Sequence, residues 1–261
     1  MKAIEKNIDF SIEKQPMKTN TKLHKHFDPE FNKIFGNSGF CVNINGSANS
    51  GKTNLLLNLF LKKPCKKTKQ KRNLEKCFHH IFIISPNLKS LKKNIFEDIP
   101  DEFKFTKLSD FLENFRTVIE NNVPEEYADD EDFQPETLCI FDDIGNQIRT
   151  NGNATPFKEL VSNRRHDHVS IINLTQRIIQ IDPTVRENLS GFISFYLKTR
   201  SDENFIFNEY TKFDPKFKRF FFDTLFQKPY DFMMIDLSLK ESHTFTYFHN
   251  FNPVEFIEEE E

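Results

Sequence analysis

The chain has 261 residues and a formal net charge of −3. That length fits one large α/β domain, or one core domain with additions. The charge balance excludes a global basic field, so nucleic-acid contact would have to come from local patches. The four cysteines, Cys41, Cys65, Cys77 and Cys139, form no close-spaced framework, which argues for a reducing compartment. The opening residues mix charges without an apolar centre, so no secretory signal is expected. The longest apolar run, LLLNLFL, is far too short for a membrane span. A soluble intracellular protein is expected.

Residues 1–38 are polar, mixed in charge and aperiodic, and read as an N-terminal extension, partly ordered at best. FCVNI (40–44) reads as a short strand that leads into GSANSGKT (46–53). KTNLLLNLFLKK then carries leucines at helical spacing. Strand, Gly-rich turn and helix is the context a true phosphate-binding loop needs. Gly46 and Gly51 permit backbone angles and close approach that a Cβ would block. The N–H groups of Ser47, Ala48, Asn49 and Ser50 can then line a cradle for phosphate oxygens at the helix N-terminus. Lys52 can reach the β- and γ-phosphates, and Thr53 can place its hydroxyl on Mg²⁺.

The basic run KKPCKKTKQKRN (62–73) is either a solvated loop or a contact for a nucleic-acid backbone. HIFIIS (80–85) is a second strand, stopped by Pro86. EEYADDEDFQPE (125–136) reads as an acidic surface loop. TLCIFDD (137–143) is a third strand that delivers Asp142 to the carboxyl edge of the sheet as a Mg²⁺ partner. Asp143 is then placed to orient or deprotonate an attacking water. PFKELVSNRRH (156–166) reads as a helix and its exit, and VSIINLTQ (169–176) as a fourth strand ending in Gln176. In such sheets the fourth strand can neighbour the phosphate-loop strand, so Gln176 could touch the γ-phosphate or the water. Arg164 and Arg165 either complete the helix end or reach a neighbouring subunit's γ-phosphate. His166 and His168 read as structural. GFISFYLK (191–198) is a fifth strand. An aromatic helical stretch, PKFKRFFFDTLF, follows, with two further strand-like pieces, DFMMIDLS and HTFTYFHNF. Strands alternating with helices imply an α/β fold with a central, mostly parallel sheet, helices on both faces and a small C-terminal β/α addition. The ATPase domain is expected over 39–252, with an acidic tail over 253–261.

Three classes of nucleoside triphosphatase compete. A GTP switch is favoured by D-x-x-G at Asp142 and Gly145, but a guanine-reading N-K-x-D is missing. A small-molecule kinase would want an Arg-rich lid and has no need of Gln176. An oligomeric motor of the RecA-like, additional-strand class wants an acidic residue after the metal aspartate, a polar sensor on the fourth strand and an arginine for its neighbour. Asp143, Gln176 and the arginine pair meet all three demands.

The succession GSANSGKT, FDDIG, NRRHDHVSIINLTQ and DPTVREN resembles the DNA-packaging ATPases of large DNA viruses and virophages, the poxvirus-type branch of the FtsK/HerA superfamily. The Arg165-His166 pair before a strand ending in Gln is the most specific part, and the likeness covers about residues 36 to 252. It implies ATP and Mg²⁺ at Lys52, Thr53 and Asp142, and Asp143 where many relatives carry Glu. It further implies Gln176 as sensor and Arg165 as the first choice for an arginine acting in trans. Arg164 is the second choice and Arg186 a third. It implies a homo-oligomeric ring, usually hexameric, that drives double-stranded DNA of any sequence into a capsid through capsid or portal-vertex proteins. The setting would be the host cytoplasm or a viral factory, with virion association as a further setting. GNQIRTNGNATPFK is a candidate channel loop, with Arg149 and Lys158 as its cations. A cellular or plasmid DNA pump of the same superfamily, and a non-motor P-loop GTPase or kinase, remain alternatives.

Overall fold

The computed structural model of the protein describes residues 2–5, 39–61, 72–88, 95–130, 133–149, 152–237 and 246–257. Cys65, most of the basic run and the final residues 258–261 lie outside them. The strands are β1 (Lys2–Glu5), β2 (Cys41–Asn45), β3 (Phe60–Leu61), β4 (Arg72–Asn73), β5 (His80–Ile84) and β6 (Lys104–Phe105). They continue with β7 (Thr137–Asp142), β8 (Val169–Thr175), β9 (Gly191–Phe195), β10 (Phe232–Asp236), β11 (Thr246–His249) and β12 (Asn252–Ile257). The α-helices are α1 (Lys52–Leu59), α2 (Leu108–Asn121), α3 (Gly145–Ile148), α4 (Ala154–Asn163), α5 (Pro183–Glu187), α6 (Arg200–Tyr210) and α7 (Lys218–Leu225).

Among the described residues ten strands form one sheet in the order β1-β12-β11-β10-β9-β2-β8-β7-β5-β6. From β6 to β9 every pairing is parallel, and from β9 outward every pairing is antiparallel. The central strands are covered on both faces, so their sequences are continuous apolar runs instead of alternating ones. Cys41, Val42 and Ile44 of β2, and Leu138, Cys139, Ile140 and Phe141 of β7, are all buried. Each such aliphatic or aromatic side chain contributes roughly 1.5–3 kcal/mol. One contiguous core joins these strands to Leu55, Leu56 and Leu59 of α1, Phe111 and Phe115 of α2, Phe157 and Leu160 of α4, and Phe207 of α6.

The C-terminal addition is larger than expected. Residues 253–257, assigned from the sequence to an acidic tail, form β12 together with Asn252, between β11 and β1. Val254 is buried, and the Phe256 ring packs on Phe213 and Phe221. This apolar alternation outweighs the acidic run that follows it. Lys2–Glu5, inside the N-terminal extension, pairs with β12 in antiparallel register, Ala3 opposite Phe256. That pairing covers an edge that would otherwise be open.

Candidate active site

Parallel β2, β8 and β7 end at one edge of the sheet, in that lateral order. This edge carries the phosphate loop, the Asp142-Asp143 pair and Gln176. β8 does lie between the loop strand and the aspartate strand, with Asn45 in register with Thr175 and Asp142 with Leu174.

The loop leaves β2 at Gly46, whose N–H donates to Thr175 O at 3.0 Å. Asn49 and Gly51 take left-handed angles, φ 62° and 111°. A Cβ on Gly51 would stand 3.1 Å from the Phe195 ring, and one on Gly46 would meet both Ser50 Oγ and Phe195. Gly51 is therefore required by Phe195 beneath the loop as well as by its left-handed conformation, and Gly46 by the close approach of Ser50 and Phe195. The first bond of α1 runs from Leu55 N to Gly51 O. The N–H groups of Lys52, Thr53 and Asn54 stay outside the helical ladder, at its positive end.

Inside this cradle the Lys52 ammonium donates to Gly46 O and Ser47 O. Burial lowers its pKa, opposed by Asp142 and Asp143. Ser50 Oγ is buried and has no partner among the described residues, a donor in want of an acceptor. A closed cradle rimmed by cationic and N–H groups, with an orphan hydroxyl, fits a phosphate chain.

Asp142 ends β7 half-buried, and Ser85 Oγ, just past β5, donates to its Oδ2 at 2.9 Å. Burial raises the Asp142 pKa and Asp143 adds to that, while the Ser85 hydrogen bond and Lys52 pull it down. Thr53 stands half-buried at the head of α1, where its hydroxyl could serve as a second oxygen. A hydroxyl and a carboxylate beside a phosphate site suit Mg²⁺, a hard cation that takes oxygen ligands. Ser85 was not singled out in the sequence, although its place at the end of HIFIIS is the same strand-end position that marks Asp142.

Asp143 follows with φ 54° and an N–H bonded to Leu174 O at 3.2 Å. Its carboxylate is exposed and accepts Gln176 Nε2 at 2.8 Å. Arg177, the next residue, is tied by an ion pair at 3.3 Å to Asp202 near the start of α6. Asp202 also accepts the Thr199 hydroxyl at 2.6 Å. Arg177 and Asp202 are 25 residues apart, so the sequence carries no local signal of their pairing.

The arginines separate. Arg164 is 2% exposed and donates to Val161 O, Asn188 Oδ1 and Asn188 O at 2.7–3.0 Å. The Arg164 guanidinium is thus tied into its own subunit, an arrangement that fits a fold-holding residue better than an arginine acting in trans. Arg165 is exposed and packs beside Gly39, at the N-terminal edge of β8. The seven residues of β8 put it roughly 20 Å from its own phosphate loop, out of reach of any intrasubunit γ-phosphate. Arg186 lies 4.6 Å over the Phe205 ring.

The candidate channel stretch 145–158 is largely helical, in α3 and the first residues of α4. Lys158 pairs with Asp182 at 3.0 Å, so it is not an open cation. His168 pairs with the buried Glu136 at 3.2 Å, a structural role. Among the described residues no helix is long and apolar enough to cross a membrane.

The genome packaging NTPase B204 of Sulfolobus turreted icosahedral virus 2, solved with AMPPCP, matches this fold with a TM-score of 0.51 at 13% identity, over 81% of this chain and 98% of that one. The DNA-packaging ATPase B204 of Sulfolobus turreted icosahedral virus matches with a TM-score of 0.54 at 17% identity, again over 81% and 98%. At these identities the likeness concerns the fold. No curated protein sequence matches the chain. The Poxvirus A32 protein family matches residues 26–216, a span that holds the phosphate loop, both aspartates, Arg165 and Gln176. The chain belongs to the poxvirus A32 protein family.

Proposed function

We propose that this protein hydrolyses ATP to drive double-stranded DNA, without reading its sequence, into a viral capsid. The observation that carries the reading is the Gln176–Asp143 hydrogen bond beside the phosphate loop. A carboxylate poised for water, tied to a neighbouring strand's polar tip, belongs to a site that must sense hydrolysis. A kinase transferring to an acceptor needs no such link. The A32 family and the packaging ATPases of like fold support the same reading.

The loop N–H groups and Lys52 hold the triphosphate, and Lys52 exchanges its two carbonyl partners for phosphate oxygens. Ser50 gains the acceptor it lacks. Thr53 and Asp142, the latter steadied by Ser85, would hold Mg²⁺, which when bound supplies positive charge to the β- and γ-phosphate oxygens. Asp143 orients a water in line with the γ-phosphorus and accepts its proton as the new P–O bond forms and the bond to the β-phosphate oxygen breaks. Arg165 of an adjoining subunit neutralises the charge that develops. Gln176 exchanges Asp143 for the γ-phosphate, and Arg177 transmits its position to α6 through Asp202. Because Arg165 stands at the sheet edge opposite the loop, activity requires a homo-oligomeric ring, which we take to be hexameric. The capsid or its portal vertex is the docking partner, in the host cytoplasm or a viral factory.

The test is hydrolysis of ATP and of GTP, each with and without duplex DNA. ATP turnover stimulated by DNA, with stimulation weakened by salt, is expected. GTP preference with no response to DNA would refute the reading.

A further inference from the structure

The direction of the bound triphosphate can be read from the sheet. The groups that would read the γ-phosphate, Asp142, Asp143 and Gln176, lie at the ends of β7 and β8, on one side of β2. A nucleotide with its γ end there must run its sugar and base toward the other side, over β9 and β10.

Two aromatic side chains stand open on that side. β9 and β10 pair up to Phe195 opposite Phe232. Just beyond lie Tyr196 and Tyr230, which are 64% and 71% exposed. Among the described residues no other large aromatic is exposed to this degree. Tyr230 touches the phosphate loop: its Cδ1 is 3.6 Å from where a Cβ on Gly51 would stand. Tyr196 is propped edge-on by Phe226, with ring centroids 6.0 Å apart.

Tyr230 is also held at a cost. Its φ is 70°, a region where a bulky residue is a genuine outlier and glycine would be free of strain. Buried Asp231 fixes the turn by accepting the N–H groups of Gln227 at 3.0 Å and Lys228 at 2.7 Å. It also accepts Asn250 Nδ2 at 2.7 Å and faces His249 Nε2 at 3.1 Å. Asn250 Oδ1 in turn accepts the Phe232 N–H at 2.9 Å. This framework holds a solvent-facing ring, next to the phosphate loop, in a strained conformation. Such strain persists where the surroundings over-determine it, and it clusters at ligand clamps.

We infer that Tyr230, assisted by Tyr196, is the platform on which the purine base of the nucleoside triphosphate stacks. The inference rests on the reading of the loop as a nucleoside-triphosphate site. Stacking uses the π-face that every base has, so the platform adds affinity for a nucleotide over a bare phosphate chain.

Binding of AMPPCP and of inorganic tripolyphosphate, each with Mg²⁺, is to be measured by calorimetry on the full chain and its variants. Tyr230→Gly removes the ring and relieves the backbone, so folding is preserved, and Tyr230→Phe keeps the ring. Tyr230→Gly is expected to weaken AMPPCP about tenfold or more and leave tripolyphosphate unchanged. Tyr196→Ala should do the same to a smaller degree, and Tyr230→Phe should match the parent protein. Equal weakening of both ligands, or no weakening of AMPPCP, overturns the platform while leaving the nucleotide site standing. Failure of the unmutated protein to bind either ligand overturns the site and the platform together.

Discussion

Gln176 Nε2 donates to Asp143 Oδ2 across 2.8 Å, joining the residue after β8 to the residue after β7. In this arrangement the amide occupies the oxygen that would otherwise engage a water. A γ-phosphate offers the same amide a competing acceptor, which would free Asp143 when ATP is present and recapture it after phosphate leaves. Asp143→Asn is expected to cut kcat by about 10²–10⁴ with AMPPCP affinity intact. Gln176→Ala should uncouple hydrolysis from nucleotide state, so that DNA stimulation is lost even where some basal turnover remains. Steady-state kinetics paired with calorimetry separates these effects.

Ser85 acts through Asp142. Its hydrogen bond opposes the rise in Asp142 pKa that burial causes. With a raised pKa, the carboxylate is lost as pH falls, so removing Ser85 moves that loss to higher pH. Ser85→Ala should raise the Mg²⁺ concentration for half-maximal activity about 10–100-fold and shift the acid limb of the pH–rate profile upward. Ser85→Thr, which keeps the hydroxyl, should restore both.

The adjacent arginines should fail in different ways. Arg164→Ala strips two charge-assisted bonds from Asn188 and one from Val161. A stability loss of about 2–4 kcal/mol is expected, visible as a lower denaturation midpoint. Arg165→Ala removes an exposed side chain and should leave stability within about 0.5 kcal/mol, while cutting turnover by about 10³ or more. Mixing Arg165→Ala with Lys52→Ala subunits should return activity at interfaces that pair one intact loop with one intact arginine. Intact rings without any recovery would remove Arg165 from the trans role.

His80 gives the fold an acid-sensitive element. Its ring stacks on Phe103 with centroids 5.5 Å apart, and its buried Nε2 has no partner among the described residues. Burial, with His79 adding to it, pushes its pKa down to about 4, whereas an unfolded histidine titrates near pH 6.5. Between those values the unfolded chain binds the extra proton. The neutral ring's contribution is thus full above pH ~6.5 and falls away as pH drops through about 4, by roughly 3 kcal/mol in all. Urea denaturation of the parent and of His80→Phe across this range should show the difference between them changing by about that amount.

Much of this site was legible because its chemistry sits at strand ends, and strands buried on both faces announce themselves as apolar runs. CVNIN, TLCIFD and VSIINLT could be placed without tertiary information, and with them Lys52, Asp142, Asp143 and Gln176. Helix α2 was legible in principle, since Leu108, Phe111 and Phe115 share a face, but it carries no chemistry. The contacts between distant residues were not legible. Ser85 and Asp142 are 57 positions apart, and β1 meets β12 across nearly the whole chain. Arg164 and Arg165 are chemically identical neighbours, and what distinguishes them is burial and the bonds Arg164 makes, two of them to Asn188, 24 residues further on. The acidic run after Ile257 masked a strand whose apolar face is as short as Val254 and Phe256.

Displacement of a third strand from a triplex-bearing DNA duplex tests most directly whether hydrolysis moves DNA. With ATP the assembled protein should strip the third strand from duplexes of unrelated sequence. Lys52→Ala and Asp143→Asn proteins should leave it in place, as should AMPPCP with the parent protein. Robust ATP hydrolysis and duplex binding with no displacement on any substrate would contradict a translocating motor.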